Sequence, residues 1–124
     1  MTLDELIARL ERAEGPLSKD PAWDLADDIA DALGLPGDDR MRSTLRSALG
    51  GSIDAALALV PEGRVYWGLH SYRSDVTDPD SERFVGEVSI HRDHRTTNLD
   101  ARHRSPAVAL CIAAIRARKE TPNG

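Results

Sequence analysis

The first part of the chain places its apolar residues with the period of an α-helix. A stripe with the spacing i, i+3, i+4 and i+7 consists of Leu3, Leu6, Ile7 and Leu10. This spacing predicts an amphipathic helix. The sequence TLDE at its start is a capping box, in which the side chain of Thr2 accepts a backbone hydrogen bond and Glu5 reaches back. The Gly-Pro pair at residues 15–16 predicts its end.

A second amphipathic helix is predicted from the sequence DPAW onwards. Asp20 is the expected N-cap, Pro21 fits the first turn, and Gly34 is a stop signal. Residues 41–49 have helical spacing but are ambiguous because the segment is short, whereas Ser52 caps a clear short helix. The polar side of the second helix is acidic, and we interpret it as a solvent-exposed face: Asp24, Asp27, Asp28 and Asp31.

Two later segments alternate with the period of two that is typical of β-strands. Residues 64–73 and residues 83–92 flank a turn-rich connection, which predicts an antiparallel hairpin. One register places the apolar residues of both strands on the same face. Its pairs are Val65–Ile90, Trp67–Val88 and Leu69–Gly86. Residues 92–104 are predicted to form a polar loop, with a short extra strand as the alternative.

The last segment is apolar almost without interruption. Ser105 is the predicted N-cap and Pro106 fits the first turn of a helix that ends in basic residues. Every residue from 107 to 115 is apolar. A helix that is apolar on all sides must be covered on more than one side, so we expect it to pack against the sheet while other helices cover its flanks. Cys111 lies inside this run, and we interpret it as a packing residue rather than a reactive thiolate.

The composition is typical of one folded domain. The 124 residues fit a single domain, 1–124, and 40% hydrophobic with 30% charged residues is enough to build a core. Aromatic residues make up only 4%, so the core must be mostly aliphatic. The single cysteine excludes an intramolecular disulfide and a cysteine-built zinc site. No apolar run reaches the roughly 20 residues of a membrane span, and the acidic N-terminus is unlike a secretory signal, so we predict a cytoplasmic protein.

The charge is negative overall but unevenly distributed. A formal net charge of −5 argues against general nucleic-acid binding, which needs a basic field. Residues 1–39 carry 11 acidic and 3 basic side chains, whereas residues 91–118 carry 6 basic and 2 acidic ones. This asymmetry could orient a partner or pair copies of the chain head to tail. The alternative is that these charged side chains only cover solvent-exposed faces.

Four residues could offer a divalent metal three imidazole nitrogens and one carboxylate. They are His91, Asp93, His94 and His103. Their spacing matches no strong metal motif, so the alternative is a set of solvated loop histidines. The sequence contains no glycine-rich phosphate loop, nucleophile elbow or CxxC pair, and no cofactor is predicted.

The second face of the predicted hairpin is of mixed polarity and could form a polar cluster for ligand binding or acid–base work. It carries Tyr66, His70, Tyr72 and Glu87. The alternative is that helices or a partner subunit cover this face. A nucleic-acid site is a further prediction. The negative net charge of the chain opposes it, and no aromatic residue lies between its arginines to stack on bases. Its residues would be Arg92, Arg95, Arg102 and Arg104.

Three segments resemble the phage ABA sandwich domain family, a group of small proteins of phages and prophages. The matching sequences are LDELIARLE at residues 3–11, SIDAALALVPEG at residues 52–63 followed by VYWGL, and SPAVALCIAAIRA at residues 105–117. The resemblance implies an α+β fold of three layers (an α/β/α sandwich), with a small antiparallel sheet between helices. It also implies phage or prophage origin, and it brings no catalytic residues.

These patterns lead to two functional predictions. The first is a non-enzymatic phage or prophage accessory protein in the cytoplasm of a bacterial host, acting through contacts with other phage proteins or through self-association as a homo-oligomer. The alternative is a small-ligand binding protein or metal-dependent hydrolase that uses the histidine, tyrosine and glutamate residues of the hairpin. That alternative requires those side chains to converge in one concave pocket.

Overall fold

Residues 2–13, 17–34, 39–61 and 65–120 are described by the structure, which is a computed structural model of the chain. They contain five α-helices and a three-stranded antiparallel sheet, with helices first and last in the order of elements. The fold class is therefore α+β, as predicted. The elements are α1 (Leu3–Arg12), α2 (Lys19–Ala32), α3 (Asp39–Leu49), α4 (Ile53–Ala58), β1 (Val65–Arg73), β2 (Glu82–Arg92), β3 (Arg95–His103) and α5 (Pro106–Glu120).

Three of the predicted helix caps are confirmed. The capping box of α1 is complete, because the backbone N–H of Glu5 donates to Oγ1 of Thr2 at 3.2 Å and the glutamate side chain accepts from the backbone of Thr2. The hydroxyl oxygens of Ser52 and Ser105 each accept a backbone N–H from three residues further on. Each cap satisfies a donor that the first turn of a helix leaves unpaired.

The start of α2 differs from the prediction. The N-cap is Ser18 and not Asp20, although Pro21 does lie in the first turn and Gly34 follows the helix with a φ of 70°. Proline is tolerated throughout the first turn, where its missing N–H would be unpaired, so it does not fix the starting residue. The ambiguous residues 41–49 belong to α3, and the predicted Gly-Pro stop at 15–16 lies outside the described residues.

The predicted register of the hairpin is confirmed. Strand β1 pairs with β2 along its whole length, without a bulge. The helix-facing side of the sheet therefore carries the apolar residues that the register was predicted to match, as a period of two requires. The observed partners include Val65–Ile90, Trp67–Val88 and Leu69–Gly86.

The predicted polar loop at 92–104 is wrong for most of its length, and the alternative of an extra strand is confirmed. Residues 95–103 form strand β3, which pairs with β2 throughout. Asp93 and His94 make the connecting two-residue turn, with positive φ angles of 47° and 65°. The usual sequence signature of such a turn is Asn-Gly or Asp-Gly, and neither pair occurs at these two positions. Only Leu99 and Ala101 of β3 are apolar, so its alternation is faint.

Helix α5 occupies the middle of the fold. All residues from 107 to 115 are fully buried. One side of α5 packs against β2 and β3, and other sides contact α1, α3 and α4. The prediction that the sheet and other helices share its cover is therefore confirmed.

The three layers are the sheet, then α5, then the remaining helices. This order differs from the expected sheet between helical layers, because the described helices all gather on the α5 side of the sheet. A helix that is apolar on every side cannot lie at the surface, whereas a sheet with one polar face can. We call the uncovered face the outer face of the sheet. No helix in the described ranges has the length and hydropathy to cross a bilayer.

The uneven charge is partly neutralised within the chain. On α1, Asp4 accepts a hydrogen bond from Lys119 of α5 at 2.9 Å, and Glu11 pairs with Arg116. The acidic side of α2 is also less free than predicted, since Arg42 of α3 lies 2.6 Å from Asp31 and also reaches Asp27. These pairs fasten neighbouring helices together.

The contact between α5 and the sheet depends on a glycine in the central strand. A Cβ atom placed on Gly86 would lie 2.6 Å from both Cα and N of Leu110. That distance is shorter than any ordinary carbon contact, so the backbone of α5 rests directly on β2. A side chain of any size at this position would push the helix away.

Gly86→Ala is therefore expected to lower the free energy of unfolding by roughly 1–3 kcal/mol, the usual range for overpacking. Gly68→Ala, on the neighbouring strand, is the matched control, because its Cβ would meet only Oε2 of Glu87 at 3.6 Å. Urea unfolding monitored by circular dichroism measures both. Equal midpoints for the two variants would contradict the close contact.

Candidate functional site

The outer face of the sheet carries the four predicted ligand-binding residues. Tyr66, His70 and Tyr72 of β1 and Glu87 of β2 have the same parity in the observed register, so all four point away from α5. Tyr66 is 64% exposed, and the other three are exposed as well. Their predicted placement on one shared face is confirmed.

These side chains do not converge, however. Tyr66 and Tyr72 are six positions apart, or about 20 Å along the strand. Tyr66 contacts the edge of the His91 ring at 5.0 Å, whereas Tyr72 lies under the guanidinium of Arg102. Glu87 lines a different shallow cleft from Tyr72. Within the described part of the chain, these four side chains therefore do not share one site at which they could act on a single substrate.

The predicted metal ligands are separated too. His91 lies on the outer face, where its Nδ1 is 2.9 Å from Oγ1 of Thr96. Asp93 and His94 form the turn at one end of the sheet. His103 lies seven positions beyond Thr96, or about 23 Å along β3, on the helix side of the sheet. Within the described ranges, no three histidine, cysteine, aspartate or glutamate residues are placed to hold a metal ion.

The predicted nucleic-acid arginines also divide between the two ends of the sheet. Arg95 begins β3, whereas Arg102 and Arg104 lie at its far end. The side chain of Arg92 is outside the described residues. The three described arginines therefore do not make one continuous patch.

A cleft at the far end of the sheet brings together residues that the sequence did not connect. It lies beside the C-terminal end of α1 and has a volume of about 250 Å³. We call it the arginine cleft. Its lining includes Arg12, Tyr72, Arg83, Arg102, His103 and Arg104.

His103 forms a buried wall of this cleft and is only 3% exposed. The backbone N–H of Ser105 donates to its Nδ1 at 2.9 Å, so the neutral ring carries its hydrogen on Nε2. Nε2 is buried and has no hydrogen-bond partner of good geometry among the described residues. Burial lowers the pKa of His103; the nearby backbone of Leu10 and Ala13 acts against this, and the charge of Arg83 adds to it.

The edge of the sheet formed by β1, which we call the β1 edge, is the second notable surface. The strand order β1-β2-β3 leaves one side of β1 without a partner strand among the residues that the structure describes. Trp67 points to the helix side of the sheet, as predicted, yet it is 51% exposed. Helix α5 lies over β2 and β3 and leaves the helix side of β1 partly open.

Cys111 lies in the interior of α5. It is fully buried, and burial raises the pKa of its thiol to about 12. A thiol that is neutral and inaccessible at neutral pH is neither a nucleophile nor a metal ligand. Its surroundings are those of a packing residue.

No family model, curated protein or solved structure matches the chain. The resemblance to the phage ABA sandwich domain family therefore stays a prediction.

We expect Cys111 of the native protein to resist a bulky aromatic disulfide reagent at neutral pH, because the thiol is covered on all sides. The same protein in denaturing urea should release one equivalent of chromophore. Absorbance follows both reactions. Rapid labelling with the circular dichroism spectrum unchanged would mean that α5 is not the interior helix.

We expect the pH dependence of stability to include a contribution from His103. The unfolded ring takes up a proton near pH 6.5, and the folded ring only at lower pH. The unfolded state therefore binds more protons in this window, and the free energy of unfolding falls as the pH drops below about 6.5.

His103→Asn, whose amide oxygen can still accept from Ser105, should flatten this fall. A single group contributes at most about 1.4 kcal/mol per pH unit. Urea titrations between neutral and mildly acidic pH measure the slope. Identical slopes in the two proteins would show that the ring gains its proton equally in both states.

Proposed function

We propose that this chain is a phage or prophage accessory protein that works by self-association in the cytoplasm of its bacterial host. In this proposal two copies join along the β1 edge into one continuous antiparallel sheet. The observation that carries it is the β1 edge itself, nine residues long and lined by exposed aromatic side chains.

The β1 edge lacks the features that usually keep edge strands apart. Such strands are shortened, interrupted by proline or a bulge, or given charged side chains. Residues 65–72 contain no proline, lysine, arginine or carboxylate, and they pair with β2 without a bulge. The other edge strand, β3, carries Arg95, Asp100 and Arg102. The difference favours β1 as the side that receives another strand.

A two-fold axis perpendicular to the sheet makes this pairing geometrically simple. Antiparallel strands related by such an axis keep their helix-bearing faces on the same side, and each contact occurs twice. The two copies of Trp67 would then lie near the joint, on the side where α5 leaves β1 open. Burying two half-exposed indole rings favours association.

Electrostatics does not oppose the joint. The only side chain of β1 with a permanent charge is Arg73 at its end, and it pairs with Glu82 of β2 at 3.3 Å. The charged side chains that pair α1 with α5 lie on the helices, away from β1. The sequence resemblance supports the phage or prophage origin. The small-ligand or hydrolase alternative loses support, because its residues lie in separate places.

Trp67→Lys is expected to weaken self-association by about tenfold or more, since it removes the largest apolar side chain of the joint and places like charges next to each other. Sedimentation equilibrium over a range of protein concentrations measures the effect. Val76→Lys is the control, because this 81% exposed apolar residue lies in the β1–β2 connection, away from the edge. Its association should equal that of the native chain.

Tyr66→Lys offers a second route, because that side chain is even more exposed than Trp67, and its replacement is therefore expected to leave the fold intact. Circular dichroism checks that each variant is folded. A native chain that stays monomeric at high concentration, at both low and moderate salt, would end the proposal. Equal weakening by the control would also end it.

A further inference from the structure

The arginine cleft is a site of concentrated positive charge in an acidic protein. Four guanidinium groups meet there from three parts of the chain: Arg12 ends α1, Arg83 is near the start of β2, and Arg102 and Arg104 lie at the end of β3. We propose that this cleft binds a small anion that carries phosphate groups.

The four arginines have no carboxylate partner among the described residues. Their hydrogen bonds go to backbone carbonyl oxygens: Arg12 donates to Ala8, Arg83 to Asp80 and Glu82, and Arg104 to Asp80. Arg102 instead lies 5.5 Å above the ring of Tyr72. A guanidinium group has five N–H donors, so each of these groups keeps donors for a ligand.

Among the described residues, the one carboxylate that lines the cleft is already engaged. Glu11 accepts a hydrogen bond from Arg116, which lies on α5 and also donates to the backbone oxygen of Asp100 at 2.7 Å. The negative charge of Glu11 is thus neutralised by Arg116, which is not among the residues that line the cleft. The field inside the cleft remains positive, and Arg83 is close enough to disfavour a proton on His103.

The geometry of the donors suits phosphate. Guanidinium groups present parallel N–H bonds that match two phosphate oxygens at once, and several such groups can surround one tetrahedral anion. Backbone carbonyl oxygens already hold the guanidinium groups of Arg83 and Arg104 in place, which reduces the ordering that a ligand would require. His103 adds a buried Nε2 without a good partner in the described part of the chain, and Tyr72 adds a hydroxyl.

The dimensions favour a small ligand over a nucleic acid. A volume of about 250 Å³ lies below the roughly 300–1,000 Å³ of sites for drug-sized molecules. The net charge of −5 repels a long polyanion outside the cleft. The positive surface also does not continue along β3, because the next arginine of that strand, Arg95, lies at its other end.

Inorganic pyrophosphate is a suitable probe. Isothermal titration calorimetry of the full chain at low salt should give saturable binding with one site per chain. The double variant Arg102→Gln/Arg104→Gln should bind about tenfold more weakly or not at all, since each lost charge-assisted contact weakens binding severalfold or more. Arg12→Gln, on another element, should weaken binding as well.

Arg95→Gln is the matched control for Arg12→Gln, because it removes the same single charge from an exposed position at the other end of the sheet. It should bind pyrophosphate as the native chain does, and circular dichroism should show all variants folded. Nuclear magnetic resonance shifts should concentrate at Ala13, Tyr72 and His103.

Three results would overturn the proposal. The first is the absence of saturable pyrophosphate binding at millimolar concentration. The second is an equal loss in Arg95→Gln, which would mean that only the overall charge matters. The third is tighter binding of a single-stranded oligonucleotide than of pyrophosphate through the same arginines, which would replace the small anion by a nucleic acid.

Discussion

The direct contact between the backbone of α5 and strand β2 is the constraint on which the rest of the structure depends. It exists because Gly86 has no side chain, so that Leu110 can approach the strand at a distance that no other residue allows. Once α5 lies on the sheet, its remaining apolar sides need cover, and α1, α3 and α4 provide it. The helices therefore gather on one side of the sheet, and the outer face is left to polar and aromatic residues.

Much of this fold was predictable from the sequence because its signals are local. Capping residues such as Thr2, Ser52 and Ser105 act within one helical turn, and the register of β1 with β2 follows from matching two apolar patterns. Strand β3 was predicted only as an alternative to a loop, because its turn lacks glycine and few of its inward side chains are apolar. The order of layers was missed because it depends on how close α5 comes to the sheet.

The candidate sites were less predictable, since they depend on distant parts of the chain meeting. Arg12 and Arg83 are separated by about seventy positions, and no spacing rule connects an arginine at a helix end to one in a strand. Tyr72 was a predicted site residue, but with the wrong companions. The exposure of Trp67 could not be predicted for a similar reason. The alternation of apolar and polar residues predicts the face of the sheet on which a side chain lies, but not how far the covering helix extends.

The distribution of aromatic residues connects the one-sided fold to its open edge. The chain has two tryptophans, two tyrosines and one phenylalanine, and both tryptophans and both tyrosines are exposed. Trp23 has a partner in the guanidinium of Arg46, 4.9 Å from its ring. The other three exposed aromatic side chains belong to β1. An aliphatic core fills the space around α5 without them, so packing within the described fold does not account for their placement on this edge strand. Aromatic residues are enriched where proteins meet, and this enrichment is the physical basis of the proposal that β1 receives a second copy of the chain.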